Sequence, residues 1–383
     1  MERPNWFRSG LVRLPARKAD RGPYISPVTY RRPLLPFVAL AVAACAETTA
    51  PLPPPVELLL VVNTGTPSLS IVTLSDDETV VSLSLGGPVP ADARPVTGRR
   101  YAVVATGGGD SLTVIDVVRR AVTREVSAGP AARARGGVIL NDSIAFVALS
   151  GRNRVLRLNL ETGDTASLPA GKTPEDVALV RGRLFVVNAN LAPCPAPDLF
   201  CPAGNSWVSV LDPATGLPSA PGDSIPLLGP GHASYAAVGS DGKLYVMSVG
   251  GPGDRAGRLS IIDPISRAEA GSFGGFGDAP GQIAADRQER IFVSSRTEGL
   301  MVFNTRTRTV ERGAGKGIPV QTNAGVAVDA ANQVYAVESG ACGSAPGRAR
   351  MFRPDLTEIR SIGLGSCAAA ATTALIPPEP DGP

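Results

Sequence analysis

An all-β, seven-bladed β-propeller of four-stranded antiparallel blades is the fold this sequence predicts. Three observations predict it: a sevenfold repeat, four short strands within each repeat, and two chain ends that complete each other. The repeat is an apolar core that reads LVVN from Leu60, AVVA from Ala102, FVAL from Phe146, FVVN from Phe185, YVMS from Tyr245, FVSS from Phe292 and YAVE from Tyr335. These cores start 42, 44, 39, 60, 47 and 43 residues apart, and a period in the low forties is that of a propeller blade.

The segment from Gly136 to Gly171 displays one complete unit. It runs as strand GGVIL, a turn at Asn141-Asp142, strand SIAFVAL, loop SGRNR, strand VLRLNL, a turn at Glu161-Thr162-Gly163, and strand TASLPAG. Tight turns of this length force an antiparallel meander, because a parallel crossover needs a dozen or more residues. Third strands recur as SIVTL, LTVIDV, VLRLNL, VSVLDP, LSIIDP, LMVFNT and RMFRPD, and Asp116, Asn159, Asp212, Asp263 and Asn304 stand at equivalent places before the hairpin. A short carboxylate or amide there bonds the backbone two residues on, so these side chains are read as turn caps rather than metal ligands.

First strands read ARPVTG, GGVIL, EDVALV, SYAAVG, GQIAAD, AGVAVD and CAAAAT. Strands nearest a propeller axis converge, so small side chains are expected there. The first of the set starts only at Ala93, behind three outer strands between Leu58 and Leu85, whereas the last, Cys367 to Thr373, has no outer strands after it. Three strands from one end and one from the other therefore make the seventh blade, closing the ring and removing exposed edges.

Units such as AGVAVDAANQVYAVESG and DVALVRGRLFVVNAN resemble the YVTN and NHL classes of propeller repeat, which occur in many bacterial exported proteins. The resemblance spans roughly residues 57–375 and implies the fold, with little about activity. The sequence departs from it in blades one to three, which lack a Pro-Asp-Gly turn, at Leu60 and Ala102 in place of Tyr or Phe, and in an insertion that swells blade four.

Composition agrees with many short strands and tight turns: 43 Gly and 36 Pro in 383 residues, with 19% charged side chains. The net charge of +3 comes from the amino-terminal segment, since residues 1–44 hold eight Lys/Arg against two acids and the remainder is acidic by three. Nucleic acid is therefore not an expected partner.

Residues 1–44 read as a leader. Arg31 and Arg32 precede an apolar run from Pro33 to Ala44 that is too short for a permanent transmembrane helix. The run ends Val42-Ala43-Ala44-Cys45, which resembles a bacterial lipobox, and the Pro-rich tether AETTAPLPPP follows within residues 45–56. The resemblance implies a diacylglycerol on the Cys45 thiol and a membrane anchored through it. Ala46, in place of an Asp, favours the outer membrane. Residues 1–27 exceed a normal leader, as though initiation lay at Val28, and residues 376–383 read as a disordered tail.

Four further cysteines, an even number in an exported chain, are expected to form disulfides. Cys194 and Cys201 would close the small loop CPAPDLFC. Cys342, between the second and third strands of its blade, would meet Cys367, just past the loop into the next, because those two loop classes emerge on one face. Zinc would want two close CxxC pairs, which are absent.

That loop face gathers what the fold leaves unexplained: the insertion from Ala189 to Trp207, the loop GGPGDRAG, Arg133, Arg135, Arg152, Arg154, Lys172 and the sole histidine, His232. Binding residues concentrate on such loops, so His232, Arg133, Arg135, Arg152, Lys172 and Trp207 are the candidate ligand contacts. No GxSxG elbow, CxxCH or helix-opening GxGxxG is present. A binding or scaffold module for a protein, peptide or envelope polymer, with no cofactor, is the expectation. The alternative is a hydrolase resembling the gluconolactonase class, which implies a divalent ion at the axis; Asn188, Glu338 and Asp176 are the nearest hard ligands. A quinone- or sugar-dehydrogenase propeller would need cofactor signals that the sequence lacks.

Overall fold

The computed structural model describes residues 54–378 except 76–77, 195–199, 219–222, 252 and 255. The leader, the start at Val28, Cys45 and most of its tether, and residues 379–383 lie outside the described residues.

Seven four-stranded antiparallel sheets form the ring. We number the blades by repeat. Blade one joins Val56–Asn63, Ser68–Thr73 and Thr79–Ser84 to the last strand, Ala368–Ile376, so the two ends of the described chain close the circle. The innermost strands of blades two to seven are Val96–Thr97, Ala134–Leu140, Pro174–Val180, Ala233–Val238, Pro280–Ala285 and Asn323–Val328. Blade two's inner strand, expected from Ala93, is cut to two residues; Pro95 just before it has no N–H to give a ladder.

The repeated aromatic explains how blades hold one another. Phe146 packs with Val177 and Val186 of the next blade, Phe185 with Ala233 and Val246, Tyr245 with Ile283 and Ile291, Phe292 with Val326 and Val334, and Tyr335 with Leu59 and Val61. All five rings are essentially inaccessible to water, and burying each contributes about 2–3 kcal/mol. Leu60 and Ala102 depart from the aromatic pattern because they sit in an aliphatic core shared by blades one to three. The hydroxyls of Tyr245 and Tyr335 donate to Asp241 and Asp329, at the turns between first and second strands of their blades.

The polar residue before each outer hairpin caps it as expected. Asn159 accepts from the amides of Glu161 and Thr162, Asp212 from Ala214 and Thr215, Asp263 from Ile265 and Ser266, and Asn304 from Arg306 and Thr307. Asp116 accepts from Arg119. These N–H bonds hold the Asp212 and Asp263 carboxyls below the usual range. Asn141 and Asp142, both left-handed, make the tight hairpin inferred from their sequence.

Candidate functional site

On the loop face the axis opens into a cup of about 530 Å³. Two backbone devices, repeated around the ring, build it. Immediately before six of the inner strands stands a non-glycine residue in the left-handed region: Arg133, Thr173, His232, Ala279, Thr322 and Cys367, with φ of 49°, 53°, 56°, 45°, 45° and 53°. Each then opens its strand with a break in register, at Ala134/Gly137, Pro174/Asp176, Ala233/Tyr235, Pro280/Ile283 and Asn323/Gly325, and opposite Val61/Asn63 in blade one. A bulge re-aims the side chain it leaves unpaired. The unpaired residues here include Arg135, Glu175, Ser234, Gln282, Ala324 and Ala369, and all of them line the cup. Non-glycine left-handed residues are costly and cluster where function needs them.

Two polar crossings floor the cup. Arg94, ahead of blade two's inner strand, passes blade three to reach Asp176 of blade four at 3.1 Å, and its guanidinium lies 4.0 Å over the Tyr235 ring of blade five. Asp176 also accepts from the amides of Val177 and Ala236. Gly136 makes the crossing possible, since a Cβ there would come 2.1 Å from the Asp176 carboxylate and 3.0 Å from Arg94. On the far side Gln282 of blade six passes blade seven: it donates to the Ala371 carbonyl at 2.6 Å and accepts from the amides of Ala371 and Val326. There Gly325 leaves the space, since a Cβ on it would meet the Ala369 carbonyl and come 3.0 Å from Gln282.

Charge is layered. In the lower layer Arg135 pairs with Asp92 and Glu175, and Arg94 with Asp176. Burial raises the Asp176 carboxyl to about 6 against the pull of Arg94. His232 is pushed below its ordinary value, first by burial and further by Arg135 and Arg94, so it is neutral at pH 7. In the upper layer Arg133 lies 4.0 Å over the Phe200 ring. Neither Arg133 nor Arg296 has a carboxylate partner among the described residues.

The sequence-derived candidates divide. Arg133, Arg135 and His232 come together in the cup. Arg152, Arg154 and Lys172 are exposed beyond it, Arg152 donating to the Ala128 carbonyl. Trp207 belongs to the strand Trp207–Leu211 and packs over Gly171, not into the insertion's tip. The insertion, expected to lack strands, forms a hairpin of Leu191–Pro193 and Phe200–Pro202 that sets Leu191 and Phe200 on the cup wall. Both cysteine pairs are at bonding distance, with Cα separations of 5.7 Å for Cys194–Cys201 and 4.8 Å for Cys342–Cys367. Disulfides fit an oxidising, exported compartment.

The alternative metal set is not assembled. None of the three lines the cup, and Asp176 is held by Arg94. Glu338 ends its blade's second strand, paired with Arg348 and Arg350. Asn188 is buried against Trp207 and Ser209. Among the described residues no three His, Cys, Asp or Glu side chains could share an ion. Sequence reasoning missed Arg94, Glu175, Tyr235 and Gln282, although each is a large or polar letter in or just before an inner strand rich in Ala, Gly and Val.

Ring and cup together define a seven-bladed propeller with a floored, cation-rimmed axial mouth. No protein-family model matches the sequence, and no curated protein does. Solved structures match it in fold. A protein of unknown function from Desulfotomaculum acetoxidans is similar at 14% identity and a TM-score of 0.60, over 84% of this chain and 99% of that one. Apo AztD from Citrobacter koseri is similar at 10% identity and a TM-score of 0.54, over 84% and 98%. The virginiamycin B lyase of Staphylococcus aureus, solved with quinupristin, is similar at 12% identity and a TM-score of 0.54, over 73% and 95%. At such identities the likeness extends to the fold alone.

Proposed function

We propose that this protein is a lipid-anchored binding module of the bacterial cell envelope, tethered through Cys45 with the outer membrane favoured, which engages a protein, peptide or envelope polymer with its loop face. The observation that carries this reading is the cup. Six blades each deliver a residue freed by a bulge to one mouth, and the disulfide-closed hairpin of blade four stands on its rim. The chemistry there is recognition chemistry: paired arginines, a neutral histidine and small apolar walls. Among the described residues no hydroxyl or thiol nucleophile in the cup is placed on a base, because His232 bonds the Gly250 backbone and Ser234 donates to the His232 carbonyl.

One experiment tests both halves. Wild-type protein is expected in the membrane fraction and Cys45→Ser in the soluble one. Solubilised wild type should capture an envelope partner that is lost when residues 191–202 are replaced by a short Gly-Ser link. Equal fractionation of Cys45→Ser would remove the anchor, and unchanged capture by the hairpin-less protein would remove the face.

A further inference from the structure

We propose that the axial cup holds the free carboxylate end of a short peptide, Arg133 and Arg296 taking the carboxylate and the small apolar walls taking the terminal side chains. This deepens the binding reading and rests on it.

Charge argues for an anion. The buried arginines are matched by Asp92, Glu175 and Asp176, leaving the guanidiniums of Arg133 and Arg296 at the mouth with no carboxylate partner among the described residues. Guanidinium is the side chain best shaped to bind carboxylate. Two buried polar atoms facing no protein partner argue for a peptide. Asn323, 1% exposed, spends its amide N–H on the Gly299 carbonyl and leaves its oxygen unbonded; Arg94, 7% exposed, leaves Nε–H unbonded. Both residues line the cup; each orphaned atom is itself closed to water, so a peptide N–H and C=O would reach them only as the two side chains turn toward the cup.

The walls argue for small apolar side chains. Ala91, Ala93, Ala324, Ala369, Ala370 and Leu191 leave room for methyl-sized groups. A saccharide would want an open aromatic platform, but each aromatic ring in the cup already has a guanidinium on one face: Phe200 carries Arg133 and Tyr235 carries Arg94. The volume, about 530 Å³, falls in the range of small-molecule sites and suits two or three residues.

The test is fluorescence anisotropy of the full protein with dye-labelled pentapeptides ending in two alanines. The terminal pair is made as L or D residues and the end as free acid or amide, with an oligouronate as the saccharide probe. Saturable binding of a free acid is expected, weakened roughly tenfold or more by amidation. Preference for L or D ends tells a protein terminus from a wall-type peptide. Arg133→Gly should lose binding by a similar factor while its thermal midpoint holds or rises, because glycine relaxes the φ of 49°. Arg152→Ala, outside the cup, should bind as wild type does. Equal affinity for acid and amide, preference for the oligouronate, or no saturable binding of any peptide would overturn the proposal. In any of those cases, hairpin-dependent capture of an envelope partner would leave the broader reading standing.

Discussion

Ending the chain after Ser366 is expected to abolish cooperative folding of the ring. The lost strand, Ala368–Ile376, is the inner strand of blade one, paired along Val56–Asn63, whose last six residues are buried. Without it those residues present a long apolar edge of the kind that templates aggregation. The loss spreads further. Gln282 loses the Ala371 carbonyl and amide that hold its side chain across the axis, and Cys342 loses Cys367. Gel filtration and urea unfolding should show aggregated or non-cooperative material in place of a monomer with one transition. A gentler variant separates strand from staple: changing Cys342 and Cys367 together to Ser keeps every pairing and opens a disulfide spanning 25 residues. That should cost about 3 kcal/mol while leaving the ring closed. A truncated chain that stayed monomeric and unfolded like wild type would refute the closure.

This closure was legible in the sequence because it follows from counting. Three outer strands without an inner one, and an inner strand without outer ones, leave only one assembly. Outer turn caps were legible too, since Asn159, Asp212, Asp263 and Asn304 act within two or three residues of themselves. The cup was half legible. Arg133, Arg135 and His232 stood out by chemistry in loops, whereas Arg94 and Gln282 act across an intervening blade on partners 82 and 89 residues away, and Asp176 accepts from the next blade 60 residues on. Strict alternation hid the rest. A bulge shifts register by one, so Glu175 and Ser234 face the axis at positions where a regular strand would turn them elsewhere. The left-handed step before each bulge was equally invisible, because Arg, Thr, His, Ala and Cys fill a position usually read from glycine.

Asp176→Ala is expected to destabilise the protein by about 3–5 kcal/mol, the usual cost of stripping a buried ion pair to one charge. The Arg94 guanidinium, 8% exposed, would keep only the face of Tyr235 and a long contact to the Glu175 carbonyl, and the Ala236 amide would lose its acceptor. Asp176→Asn should cost less, because an amide oxygen can still accept. The pair also fixes a pH signature. Burial raises the Asp176 carboxyl to about 6 in the folded protein, Arg94 and two backbone amides opposing it and Glu175 reinforcing it, while the unfolded value is about 4. Between those values the native state holds more protons than the unfolded one, so this group's contribution falls as pH rises from about 4 to 6 and is recovered on acidification. Turn aspartates such as Asp212 and Asp263, lowered instead, act in the opposite direction in both proteins and cancel when the two are compared. Wild type should therefore gain on Asp176→Asn by on the order of 2 kcal/mol as pH drops from 7 to 4.5, read from urea midpoints at matched ionic strength. A gap that stayed constant, or closed on acidification, would mean that Asp176 is not the charged group beneath the cup.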